Sequence, residues 1–171
     1  MKHLKIITVV FMSMLVLSCS GDDDSGGGGD SDPVVQFSAT INGSGYTNYL
    51  ATLGSVTADG DVGLTIVLTD SNNNIVRIFM NNTGGFNSGV VKKIGNVDGD
   101  GFGTNALFRD QGTQITYNSS VGSITIFENV QSNIDPSNRL VTGNFDIIAN
   151  VNTGETITII GTFENIPVFG L

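Results

Sequence analysis

The feature that most constrains this chain is a series of short runs in which apolar and polar residues alternate. The run 36–42 has an apolar residue at every second position and ends at Asn42-Gly43, and the run 62–69 follows the same pattern. This alternation has the period of a β-strand with one buried and one solvated face. Nowhere does a helical period of 3.6 persist for more than two turns, so we predict an all-β domain over 34–171.

The spacing of these runs predicts antiparallel hairpins. The runs 62–69 and 75–80 flank the polar turn 70–74, and the runs 140–151 and 155–163 flank the loop Asn152-Thr153-Gly154. The runs 114–118 and 122–130 suggest a further hairpin, and 129–138 is irregular enough for a short helical turn. We predict eight to ten strands in a single antiparallel β-sandwich, with a closed β-barrel as the alternative.

Composition and charge narrow the fold and the partners. Glycine occurs 23 times and only 13% of residues are charged, a mixture that disfavours long helices. The formal net charge is −9, and loss of Lys2 and Lys5 with a signal peptide would leave five basic residues against sixteen acidic ones. A protein this acidic is repelled by phosphate backbones, so we expect no nucleic-acid partner.

The first nineteen residues have the pattern of a lipoprotein export signal. Lys2 and Lys5 precede an apolar run over 6–17, which closes with Val16-Leu17-Ser18-Cys19. The run of about twelve residues is too short to span a membrane comfortably. A small residue directly before a cysteine is typical of a lipobox. We predict a signal peptide over 1–18 and a lipid anchor on Cys19, with an ordinary secretory signal or a short anchor helix as the alternative.

An acidic, glycine-rich stretch over 19–33 follows the predicted cleavage site. Its composition cannot bury apolar area and predicts a flexible tether. Ser20 followed by Asp22, Asp23 and Asp24 resembles the surface-export signal of Bacteroidetes-type lipoproteins. The resemblance implies display on the outer face of the outer membrane, and retention on the periplasmic face is the alternative.

The residue inventory excludes several kinds of chemistry from the predicted mature chain. The only histidine is His3, in the signal peptide, and the only cysteine is Cys19. Histidine- and thiol-dependent catalysis is therefore excluded, as are disulfides and metal sites built on imidazole or thiolate. No glycine-rich loop joins a strand to a helix as phosphate-binding loops require.

Carboxylate chemistry is the enzymatic possibility that remains. Glycoside hydrolysis needs two acids flanking one bond, and Glu128, Glu155, Glu164 and Asp146 are the candidates. We expect these to be exposed strand residues instead, and we predict that the protein is not an enzyme. Tryptophan is absent, so glycan binding would depend on Tyr46, Tyr49 and Tyr117, the only tyrosines.

Calcium is the one cofactor that the sequence suggests. Asp98 and Asp100 flank Gly99, and two carboxylates at this spacing can turn towards one hard cation. Asp59-Gly60-Asp61 repeats the pattern. Neither motif completes a twelve-residue calcium loop, and Asp-Gly is also a common turn dipeptide. We predict at most a weak calcium site at Asp98 and Asp100, and otherwise no cofactor.

Phe86, Phe102 and Phe108 lie near predicted turns rather than in the middle of strands. They can cover the ends of the core, or they can form an exposed patch for a partner. We expect them to cover the core.

Several motifs together resemble a known group of proteins. The lipobox and aspartate run precede Phe37-Ser38-Ala39-Thr40-Ile41-Asn42-Gly43, and the chain closes with Val141-Thr142-Gly143-Asn144-Phe145 and Gly161-Thr162-Phe163. These features resemble small Bacteroidetes-type surface lipoproteins that carry a β-rich domain of unknown function. The resemblance implies a surface lipoprotein and a β-sandwich, and it brings no activity with it.

We therefore predict a membrane-anchored lipoprotein that acts as a non-enzymatic binding or accessory module at the outer membrane or cell surface. The partner would be the membrane, through Cys19, together with an envelope protein or a glycan. The alternatives are a carboxylate-based glycan hydrolase and a purely structural envelope component.

Overall fold

The computed structural model describes residues 31–46, 49–51, 53–59 and 62–169. Within these residues every regular element is a strand. The nine strands are β1 (Gln36–Asn42), β2 (Leu53–Asp59), β3 (Gly63–Thr69), β4 (Ile75–Asn81), β5 (Val91–Lys93), β6 (Asn105–Arg109), β7 (Thr116–Gln131), β8 (Asn138–Asn150) and β9 (Thr156–Phe169).

All nine strands belong to one antiparallel sheet. Their order is β1-β9-β8-β7-β6-β4-β3-β2, and the short β5 pairs with β7 beside β6. The sheet is nearly closed and barrel-shaped. The all-β class, the antiparallel pairing and the number of strands are therefore confirmed, and the single curled sheet corresponds to the barrel alternative rather than to two stacked sheets.

The predicted hairpins divide into two that are confirmed and one that is wrong. β3 and β4 flank the turn 70–74, and β8 and β9 flank a tight loop in which Gly154 has a φ of +94°. The segments 114–118 and 122–130, in contrast, do not form a hairpin. They belong to the single long strand β7, which passes through 119–122 with a bulge and continues to Gln131, so the irregular stretch 129–138 begins as strand.

The barrel interior is filled by apolar side chains from every long strand. Two Gly-x-Phe sequences in β8 and β9 pair reciprocally, because Gly143 lies opposite Phe163 and Phe145 lies opposite Gly161. Each ring covers the opposite glycine so closely that a Cβ at Gly161 would fall 2.4 Å from Phe145 Cζ, and one at Gly143 2.5 Å from Phe163 Cζ. The missing side chains thus leave room for the two rings in the core.

The barrel closes at a seam between β1 and β2, which share no backbone ladder among the described strands. A side chain bridges the seam instead. The ring of Phe37 lies against Gly54, where a Cβ would fall 2.2 Å from Phe37 Cδ2. Apolar packing therefore joins the two strands at this seam, whereas main-chain hydrogen bonds join neighbouring strands elsewhere in the sheet.

The chain reaches the barrel at the end where the turn 132–137 joins β7 to β8. Asp32, which the sequence assigned to the tether, accepts hydrogen bonds from the Ser132 hydroxyl at 2.6 Å and from the Asn133 amide at 2.6 Å. Ser132 and Asn133 follow the end of β7. We call this the entry end, and we call the end with the turns 70–74, 110–115 and 151–155 the turn end. In the part of the chain that the structure describes, no helix is long and apolar enough to cross a membrane.

Candidate functional site

The residues predicted to carry lipid and export information lie outside the described part of the chain. Cys19, Ser20, Asp22, Asp23 and Asp24 all precede residue 31, where the description begins. Their roles remain predictions from the sequence.

Asp98 and Asp100 lie on a loop in which Asp98 organises the backbone. Asp98 Oδ1 accepts hydrogen bonds from the Asp100 amide at 3.0 Å and from the Phe102 amide at 2.8 Å. The Asp100 side chain is exposed. Among the described residues no three acidic, histidine or cysteine side chains group together as metal ligands would. The Asp-Gly turn is present, and a weak calcium site remains a prediction for these two carboxylates.

Two of the candidate catalytic carboxylates, Glu155 and Glu164, lie towards opposite ends of the barrel. Glu155 lies at the turn end, where the Tyr117 hydroxyl donates a hydrogen bond to its Oε2 at 3.3 Å. Glu164 lies further along β9 and pairs in register with Gln36 near the entry end. Eight residues of extended strand separate Glu164 from the start of β9 at Thr156, which is about 25 Å. Glu155 and Glu164 therefore cannot flank one glycosidic bond, whose two acids are about 5–9.5 Å apart.

The three tyrosines gather at the turn end around Phe108. The Tyr46 ring packs edge-on against Phe108 at 4.9 Å and against Tyr117 at 5.8 Å, and Tyr49 packs against Phe108 at 5.7 Å. Tyr49 and Tyr117 are buried, and Tyr46 is half-buried. The cluster plugs this end of the barrel, so these rings form no open platform for a sugar.

Hydrogen bonds hold Tyr46 and Tyr49 in the plug. The Tyr46 hydroxyl donates to Asp110 Oδ2 at 2.5 Å, and the Tyr49 hydroxyl donates to the Leu68 carbonyl at 3.1 Å. Burial, followed by the bond to Asp110, raises the pKa of Tyr46, and burial followed by the charge of Asp70 raises the pKa of Tyr49. The same Tyr46 bond lowers the pKa of Asp110. Tyr46 is therefore a neutral phenol held on ionised Asp110.

The three phenylalanines near turns behave differently from one another. Phe86 and Phe108 are buried and cover the core, as expected. Phe102 instead is 41% exposed and lies against Phe79 on the outer wall, with ring centroids 6.4 Å apart. The expectation for Phe102 is therefore wrong, because its loop folds back over the outside of β4 and β6 instead of over the barrel opening.

Phe102 borders a shallow cleft on the outer wall formed by β3, β4 and β6. The cleft has a volume of about 320 Å³ and is lined by Val62, Thr65, Arg77, Phe79, Gly101, Phe102, Gly103 and Asn105. We call it the Arg77 cleft. Arg77 is exposed, and in the described part of the chain its guanidinium makes no hydrogen bond or ion pair. In register, Arg77 is flanked by Val67 and Leu107, both half-buried.

The cleft combines the groups that small ligand sites use. Two aromatic rings offer apolar faces, and an unpaired guanidinium provides charged donors. The side-chain amide nitrogen of Asn105 donates to the Gly103 carbonyl at 2.7 Å, which leaves the side-chain oxygen of Asn105 able to accept a hydrogen bond. The sequence did not single out Arg77, although its outward position in the alternating run 75–80 was visible.

A second polar centre lies inside the barrel wall at Lys92. This side chain is only 3% exposed, and its Nζ donates to the Asn81 carbonyl at 2.9 Å and to the Thr83 carbonyl at 2.5 Å. The ammonium also lies 4.4 Å from the centroid of the Phe86 ring. Burial lowers the pKa of Lys92 to about 8. The sequence missed this residue because Val90-Val91-Lys92-Lys93 does not alternate.

Among the cavities of the described residues, the Arg77 cleft and the surroundings of Lys92 are two that bring charged and polar side chains together for a ligand. The chain matches no protein family model, no curated protein and no solved structure.

Proposed function

We propose that this protein is a non-enzymatic binding module, anchored to the outer membrane by a lipid on Cys19 and displayed at the cell surface. The sequence support is the lipobox and the aspartate run that follows it. The contact of Asp32 with Ser132 and Asn133 adds a geometric argument, since it fixes the side from which an anchored chain would approach the barrel.

The Arg77 cleft is the observation that carries the binding proposal. A charged side chain without a partner, framed by aromatic and aliphatic groups, is the composition that dominates binding energy at interfaces. Its volume of about 320 Å³ is at the lower end of the range for small-molecule sites. We assign the cleft to one or two sugar units of a glycan, whose apolar ring faces would pack on Phe79 and Phe102 while Arg77 and Asn105 bond to its oxygens.

A glycan hydrolase is the competing function. Glu155 and Glu164 are too far apart to serve as its pair of catalytic acids. No acidic residue lines the Arg77 cleft within the described chain. A ligand held there would meet aromatic faces and donors, which bind sugars without a general acid to cleave them.

Glycan microarrays, followed by calorimetry on any hit, test the proposal with the unlipidated chain 20–171. We expect Arg77→Ala and Phe102→Ala to weaken binding about tenfold or more, because each removes a contact that solvent replaces poorly. Phe127→Ala is the matched control for Phe102, since Phe127 is 49% exposed outside the cleft. Lys93→Ala is the control for the loss of charge.

Binding that survives both cleft variants would remove the Arg77 cleft as the site. If no glycan binds, but a protein partner binds the wild type and not Arg77→Ala, then the ligand of the Arg77 cleft is a protein and not a glycan.

A further inference from the structure

Lys92 carries a positive charge in a place where proteins rarely leave one alone. It lies on β5 opposite Ile124, one of the fully buried core residues, and faces the same interior. Both hydrogen-bond partners of its Nζ are neutral main-chain carbonyls. No carboxylate of the described chain forms an ion pair or hydrogen bond with it.

Neutral carbonyls and one ring face only partly replace the water that an ammonium loses on burial. A buried lysine is normally paired with an acid, because an uncompensated buried charge is costly. The chain has sixteen acidic residues, and the sheet still places none of the described ones against Lys92. The charge therefore lacks the partner that the energetics call for.

A cavity of about 210 Å³ lies directly beside this charge. It is lined by Asn81, Thr83, Gly84, Val90, Val91, Lys92, Lys93, Asn96 and Thr104. Two of the few basic residues of the chain line it, and no Asp or Glu does. The side chains of Lys93 and Asn96 make no hydrogen bond in the described structure, so both are available to a ligand.

We propose that this cavity binds a small oxyanion, a phosphate or a carboxylate group, that supplies the missing counter-charge. The ammonium groups of Lys92 and Lys93 would provide the attraction, and the Asn96 amide and the hydroxyls of Thr83 and Thr104 would provide neutral donors. Charge-assisted hydrogen bonds to oxyanions are among the strong ones. The Lys92 cavity is separate from the Arg77 cleft, so the two ligands are independent.

Calorimetric and NMR titrations of the unlipidated chain 20–171 test the proposal at constant ionic strength. The probes are inorganic phosphate, acetate and glycerol 3-phosphate, with chloride as the background ion. We expect saturable binding of at least one probe, with shifts centred on Lys92 and Asn96. Tighter binding of glycerol 3-phosphate than of inorganic phosphate would assign the group to a larger phosphate ester, and the reverse order to free phosphate.

Variants at the cavity rim decide whether the site is the one proposed. Lys93→Met and Asn96→Ala keep the hydrogen bonds of Lys92, so they should fold normally and weaken binding about tenfold each. Arg77→Met removes the same charge from the other site and should leave anion binding unchanged. The proposal is overturned if no probe binds saturably, or if binding persists unchanged in both rim variants, which would leave Lys92 as a purely structural tie to two carbonyls.

Discussion

Replacing Lys92 with methionine should change how the stability of the barrel depends on pH. The folded protein holds the pKa of this lysine near 8, against an ordinary value of 10.5. Between those values the unfolded chain binds a proton that the folded chain has released, so the free energy of unfolding increases as the pH rises. Below about pH 8 both states are protonated, and the penalty for burying the charge is present in full.

The size of this effect follows from the shift. A difference of this magnitude corresponds to about 3 kcal/mol in total, of which about 2 kcal/mol should be gained between pH 7 and pH 10. Above about pH 10 the trend should reverse. Tyr46 and Tyr49 keep their protons in the folded state because their pKa values are raised, so stability is lost as the unfolded tyrosines ionise.

Urea unfolding followed by far-ultraviolet circular dichroism at pH 7, 8, 9 and 10 measures this profile. Phosphate must be absent, since an anion near Lys92 would raise the pKa of that lysine. The wild-type protein and the Arg77→Met control should both gain stability up to pH 10. Lys92→Met should stay flat from pH 7 to pH 9 and fall slightly by pH 10, where the unfolded tyrosines begin to ionise. Its stability should also be lowered because two carbonyls lose their hydrogen bonds to Lys92. An undiminished rise in Lys92→Met would refute the attribution to Lys92.

Four further predictions concern the lipid anchor, the surface-export signal, the metal and the core. Cys19→Ala should leave the protein unprocessed or soluble, and normal maturation of this variant with acyl mass would contradict the lipobox. Alanine in place of the three aspartates at 22–24 should keep the protein in the membrane fraction but reduce its cleavage by protease added to intact cells. Millimolar calcium should stabilise by no more than about 1.4 kcal/mol at ten times the dissociation constant, and Asp98→Asn/Asp100→Asn should abolish that shift in thermal melts, whereas an unchanged shift would place the ion elsewhere. Gly161→Ala should lower the free energy of unfolding by about 3 kcal/mol, because its Cβ would fall 2.0 Å from the Ser38 carbonyl oxygen. Gly99→Ala is the control: Gly99 has open space around it, so this variant should change the free energy of unfolding by less than about 0.5 kcal/mol.

Local alternation was enough to predict the strands that have one fully buried face. β1 occupies the predicted residues 36–42, and β3 and β4 begin or end within one residue of the predicted runs. β2 and β6 were missed for physical reasons. β2 contains Gly54 and small polar residues, and most of its residues over 53–57 are exposed. β6 has three apolar residues in succession, and both of its faces are at least partly covered.

Long-range geometry accounts for the remaining differences. Asn118, Ser119 and Gly122 have the composition of a turn, yet β8 pairs alongside and keeps the segment extended. Closure of the sheet depends on Phe37 meeting Gly54 from a distant strand, which no local pattern reveals. The same limitation hid both candidate sites, because the Arg77 cleft requires the loop of Phe102 to fold over β4, and the Lys92 cavity requires β5 to turn its middle residue inwards.

The reciprocal arrangement of Gly143 with Phe163 and of Phe145 with Gly161 also constrains how this sequence can change over time. A smaller residue at 163 or 145 would not by itself admit a side chain at 143 or 161, because a Cβ would still fall 2.4 Å from the Thr125 carbonyl oxygen at 143 and 2.0 Å from the Ser38 carbonyl oxygen at 161. In any set of related sequences we therefore expect both glycines to be kept. Positions 145 and 163 can change only to residues that still fill the space above the opposite glycine.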